Sequence, residues 1–164
     1  MVVGSWLSPL PVDAETAPEI FDVSHGSVVI HDGDTINRSQ LTDTSPYWTF
    51  DFNWPHSVPY PHGVLAVFRG SFGHIDGAPV YAVNYGSVSQ GFPAGEASLS
   101  ANLQMPGLGD VSTPSGTYTA IAAEVSDYQG FVDWFSSGGS GCVAPSNSAS
   151  LVFTYDATNH SQDR

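Results

Sequence analysis

YWTFDFNWPHSVPYPHGVLAVFR, residues 47–69, is the stretch on which the fold turns. Trp48, Phe50, Phe52 and Trp54 alternate with Tyr47, Thr49, Asp51 and Asn53. A period of two places the large aromatics on one face of a strand and the more polar residues on the other. Pro55, Pro59 and Pro61 then interrupt the chain, and after Gly63 the apolar run Val64-Leu65-Ala66-Val67-Phe68 resumes. An unbroken run rich in β-branched and aromatic residues reads as a strand buried on both sides. Together the two segments form the floor of a β-sandwich core. Patterning of this kind reports burial first and chemistry only secondarily.

Working outward, 17 glycines and 12 prolines in 164 residues disfavour long helices and favour short strands joined by turns. The length suits one domain with a real core, and 41% apolar content is that of a folded globule. Residues 20–31 read as a strand pair turning at Ser24-His25-Gly26-Ser27. His31-Asp32-Gly33-Asp34 reads as a second tight turn, with Asp-Gly suiting a hairpin. Residues 79–85, 97–105, 117–125, 128–135 and 150–155 read as further strands, the last closing the sheet. Residues 91–105 are the weak candidate for helix. Residues 136–148 are flexible by composition. The expected fold is all-β: a single β-sandwich, jelly-roll-like or Ig-like, of about eight short strands. Residues 1–18 form an extended arm that Pro9, Pro11 and Pro18 bar from helix, residues 19–156 the sandwich, and residues 157–164 a polar tail.

Charge excludes several functions. The basic residues are Arg38, Arg69 and Arg164, lysine is absent, and 16 carboxylates bring the net charge to −13. Such a chain repels phosphate backbones and anionic membrane surfaces, so neither nucleic acid nor membrane docking is expected. A salt-adapted organism and a lysine-poor genome would both produce this balance. No run of roughly 18 apolar residues could span a bilayer. The N-terminus lacks the basic region of a signal peptide. Cys142, the single cysteine, excludes an internal disulfide, and no basic residue or histidine lies close in sequence to activate it.

The chain resembles, in three motifs, a group of minor tail proteins from tailed phages of actinobacteria. Trp48-Thr49-Phe50 followed by Pro61-His62-Gly63-Val64-Leu65-Ala66-Val67 is similar to their "WTF…P-x-GVLV-V" opening. Val83-Asn84-Tyr85-Gly86-Ser87 stands where a "V-x-YGG" strand end follows, with Ser87 in place of the second glycine. Pro114-Ser115-Gly116-Thr117-Tyr118-Thr119 stands where a "P-x-G-x-x-T" turn precedes a valine-rich strand. The motifs keep their order over residues 48–125. The resemblance implies a virion structural protein of the tail or tail tip, acting in particle assembly and host attachment. Other virion proteins, further copies of itself and a host glycan would be its partners. It implies no catalytic residues.

Nor do the residues themselves suggest an enzyme. His56 and His62 lack the spacing that pairs two imidazoles on a strand or helix, so a metal site with Asp51 would depend on the fold to assemble it. His31-Asp32-Gly33-Asp34-Thr35 is similar to a calcium loop but lacks the remaining oxygen ligands and the terminal glutamate. Ser140, in Gly138-Gly139-Ser140-Gly141, has no base placed to activate it. Asp127 and Asp133 could pose as a glycosidase pair, as could many pairs in so acidic a chain. No catalytic residue, cofactor or metal is therefore expected. The alternative to a virion protein is a lectin-like module presenting Tyr128, Trp134 and Phe135 to a sugar, since rings offer apolar faces and polar edges. Against it stands the simpler expectation that these aromatics are core.

Overall fold

A computed structural model of the chain describes residues 18–54, 62–71, 74–75, 84–86, 96–104, 113–136 and 148–158. Residues 1–17 of the expected arm, residues 159–164 of the expected tail, His56, Ser140, Cys142 and residues 137–147 lie outside them. The described strands are β1 (Glu19–His25), β2 (Val28–Ile30), β3 (Thr35–Asn37), β4 (Tyr47–Trp54), β5 (His62–Ser71), β6 (His74–Ile75), β7 (Asn84–Gly86), β8 (Glu96–Gln104), β9 (Gly116–Val125) and β10 (Ser148–Asp156). One 3-10 turn (Arg38–Gln40) and one α-helix, α1 (Tyr128–Ser136), complete them. The strands make two sheets: a front sheet ordered β2-β1-β4-β8 and a back sheet ordered β3-β10-β9-β5-β6, with β7 also on β5. The protein is an all-β sandwich.

The two strands of the opening stretch lie in opposite sheets and contribute to one core. On β4, Trp48, Phe50 and Phe52 are fully buried, while Thr49, Asp51 and Asn53 are only half-buried. They join Ile20, Val23 and Ile30 of the front sheet. Leu65 and Val67 of β5, Tyr118, Ala120 and Ala122 of β9, and Leu151, Phe153 and Tyr155 of β10 complete this core from the back sheet. Period-two alternation thus puts one face of each strand into a shared dry layer.

β5 is buried on both faces, as its unbroken apolar run requires. Its other face presents Val64, Ala66 and Phe68, which join Ile121 and Ala123 of β9 in a second cluster. That cluster is covered by α1 through Phe131 and Phe135. Residues 128–135, expected to be a strand, are therefore helical. The local chemistry explains why. Asp127 stands at the N-cap: its Oδ1 accepts the Gly130 N–H at 3.1 Å and its carbonyl accepts the Phe131 N–H at 3.1 Å. Gln129 Nε2 donates to Asp133 one turn on, at 2.9 Å. Tyr128, Phe131 and Phe135 fall three and four residues apart, the spacing of one helical face. Residues 96–104 pair with β4 as a strand, matching the strand expected over 97–105 and not the weak helix candidate over 91–105.

Of the first two connections, the expected turn forms and the expected hairpin does not. The β1–β2 hairpin turns through Gly26, at φ +59, where a Cβ would lie 2.5 Å from Asp43 Oδ2. Glycine is needed there for both reasons. The Asp-Gly turn after β2 makes no hairpin: it crosses to the back sheet, where β3 runs parallel to β10. β10 consequently lies between β3 and β9 and does not close the sheet.

Candidate functional site

Among the described residues, α1 packs on the back sheet and no element packs on the outer face of the front sheet. Register opposes Asp22 to Asp51 and Ser24 to Thr49 on it. Val29, opposite Ser24, is 48% exposed and Tyr47 55%. Phe21, at the register shift between Ile20 and Asp22, is 40% exposed. The face is thus mixed: a carboxylate pair flanked by hydroxyls and a few apolar side chains. Partial burial, then the charge of Asp51 and a hydrogen bond to it, push the Asp22 carboxyl up, while His31 pulls it down.

The His31–Asp34 turn is used structurally. Asp32 Oδ1 accepts the Val152 N–H at 2.8 Å, and Gly33 N donates to the Val152 carbonyl at 2.7 Å. Thr154 N donates to the Asp34 carbonyl at 2.8 Å. Asp34 Oδ2 accepts the His31 N–H at 2.8 Å, with His31 Nδ1 3.3 Å away. The turn is therefore stitched to β10 by the Asp32 carboxylate and two backbone bonds, while the Asp34 carboxylate closes the turn on itself. The hydrogen bond from the His31 backbone, the largest influence, holds the Asp34 carboxyl below its ordinary range.

These two carboxylates predict opposite pH responses. The folded pKa of Asp22 is raised, so its ionised form is disfavoured by folding. Asp22→Asn should melt higher than the parent at pH 7, and its advantage should shrink as pH falls through that raised value. The folded pKa of Asp34 is lowered, so its ionised form contributes stability at neutral pH. Asp34→Asn should melt lower at pH 7, and the deficit should vanish as pH falls through the lowered value. Circular-dichroism melts from pH 7 to pH 3 read both. Shifts of the same sign in the two variants would refute the assignment.

The other sequence candidates come apart. Asp51 lies on the front sheet and His62 begins β5 in the back sheet, so their strands belong to different layers. Among the described residues no group of three or more His, Cys, Asp or Glu could hold a metal ion. Asp127 caps α1, and Asp133 holds Gln129. In the aromatic trio, Phe135 is buried, edge-on to Phe68 at 6.4 Å and stacked with Phe131 at 5.9 Å. It offers no open face to a sugar. Tyr128 is half-buried against the same cluster, and the Trp134 side chain is outside the described residues.

Sequence reading missed His25, placing it in the turn Ser24-His25-Gly26-Ser27. It is buried, stacked on Trp48 with centroids 4.5 Å apart, and its Nε2 lies 2.6 Å from the Ser45 carbonyl. A carbonyl only accepts, so Nε2 carries the hydrogen. The ring clamps the 43–46 segment onto the end of the sandwich. Its position on the inward parity of β1, two residues after Val23, was the available signal.

No family model matches the chain, and no curated protein matches it. Among solved structures it is similar to the CARDB domain of a Pyrococcus furiosus protein, crystallised in complex with di-metal ions. The two share 12% identity over 87% of this chain and 96% of that one, at a TM-score of 0.31. Among the described residues no helix is long and apolar enough to cross a membrane.

Proposed function

We propose that this protein is a non-enzymatic structural component of a virus particle, in the tail or tail tip of a phage, working by association. The observation that carries the reading is the asymmetry of the sandwich. α1 covers the outer faces of β5 and β9 in the back sheet, whereas among the described residues the front sheet keeps exposed Val29 and Tyr47 on its outer face and has β2 and β8 as its terminal strands. Uncovered sheet faces and terminal strands are where β-proteins add neighbours. The three motifs shared with phage tail proteins fall on β4 and β5, on β7, and at the start of β9, the framework strands of both layers.

Association must overcome charge. At −13 per chain, like copies repel unless cations, basic partners or apolar contacts offset it. Sedimentation velocity over a sodium chloride and magnesium series should show mass rising with ionic strength, more steeply with the divalent ion. A chain that stays monomeric throughout, binds an immobilised glycan alone and is missing from purified particles by mass spectrometry would overturn the reading in favour of a lectin.

A further inference from the structure

Among the described residues Arg69 is a cation without a counter-charge. It ends the inward-facing row Leu65, Val67, Arg69 on β5, opposite Tyr118 of β9. Its Nη2 donates to the Ser115 carbonyl at 3.2 Å. The guanidinium lies over Gly116, where a Cβ would stand 3.0 Å from Nε and 3.5 Å from Nη2. Gly116 has φ +154, so the site needs glycine for the backbone as well as for the room. Nε is buried with no hydrogen-bond partner. Among the described residues no carboxylate forms an ion pair with Arg69.

A guanidinium anchored at one nitrogen and partly desolvated, with no ion pair among the described residues, has already lost hydration that a carboxylate could offset. Fixing it in advance also lowers the entropy cost of binding. Ser115 adds a donor: its Oγ accepts the Ala157 N–H at 2.8 Å and keeps its own hydrogen to give. We propose that Arg69, with Ser115 on the Gly116 floor, is a receptor for a carboxylate, met end-on through the Nη hydrogens still available. The anion could be a small free acid or a side chain of a second copy of this chain; the chemistry is the same. Arg38, which makes no side-chain hydrogen bond among the described residues, lacks this preorganisation.

The inference goes beyond the particle reading, because a small acid can test it with no assembly at all. The chain has three arginines and no lysine, so the guanidinium Nε–H region of a proton–nitrogen correlation spectrum holds at most three signals. Arg69→Gln assigns one of them by its disappearance. Sodium acetate is titrated into the wild-type chain against chloride at constant ionic strength. The Arg69 signal should shift and saturate while those of Arg38 and Arg164 do not. A second arm dilutes the protein without acetate. A concentration-dependent shift of Arg69, reversed by acetate, identifies the carboxylate of another copy as the occupant. Saturation in the acetate arm alone identifies a free acid. If Arg69 moves no more than the other two arginines in both arms, the receptor does not exist.

Discussion

Phe50→Ala should lower the unfolding free energy by about 3–5 kcal/mol, the usual cost of deleting a fully buried ring. The ring sits at the middle of β4, fully buried among front- and back-sheet residues of the same cluster. Truncation removes its transfer free energy and leaves a cavity that two hydrogen-bonded sheets can close only in part. With domains of this size stable by about 5–15 kcal/mol in total, the variant should be close to unfolding at body temperature. The neighbour supplies the control. Asp51 is next in sequence but on the outer face, opposite Asp22. Asp51→Asn removes a like-charge opposition and should not destabilise at pH 7. Urea denaturation of both variants reads the contrast. A Phe50→Ala loss below about 1 kcal/mol would mean that the ring is not in the core.

The same alternation explains how much of the fold was legible in advance. Trp48, Phe50 and Phe52 announced a one-sided strand, and residues 64–68 a two-sided one, because burial writes itself into adjacent residues. What lay across long sequence separations was not written. Nothing local in Thr35-Ile36-Asn37 says that it will run parallel to β10, more than a hundred residues later. The Asp-Gly turn looked like a hairpin because turn chemistry fixes a reversal of the chain and not the sheet to which the next strand returns. The partners of Arg69 and of His25, the Ser115 and Ser45 carbonyls, emerged only when segments far apart were brought together.

The missed helix was a different failure, since its signal was present. Tyr128, Phe131, Trp134 and Phe135 are β-favouring residues, and Gly130 weakens a helix, so propensity spoke for a strand. Yet a β5 buried on both faces demanded a cover for its second face. The Asp127 cap, followed by apolar residues three and four apart, was the available candidate. Reading the demand of one element as a constraint on another would have recovered α1.

Phe135→Ala tests that cover. A helix of nine residues does not persist alone in water, so α1 depends on the rings it buries. Removing the ring that meets Phe68 and Phe131 should cost about 3–5 kcal/mol if loss of the helix is coupled to unfolding of the sandwich. If α1 detaches separately, the loss is capped at the helix's own docking energy. Amide exchange in residues 128–136 then accelerates selectively. Val64, Ala66, Phe68, Ile121 and Ala123 would become an apolar patch that binds a hydrophobic dye. Both outcomes follow from a packing role, and exchange rates separate them. A ring serving as a sugar contact predicts the reverse: unchanged exchange and unchanged melting, with glycan binding lost. Its burial between Phe68 and Phe131 argues for the first pair, because an aromatic face already in van der Waals contact with protein has nothing left to stack on a ligand.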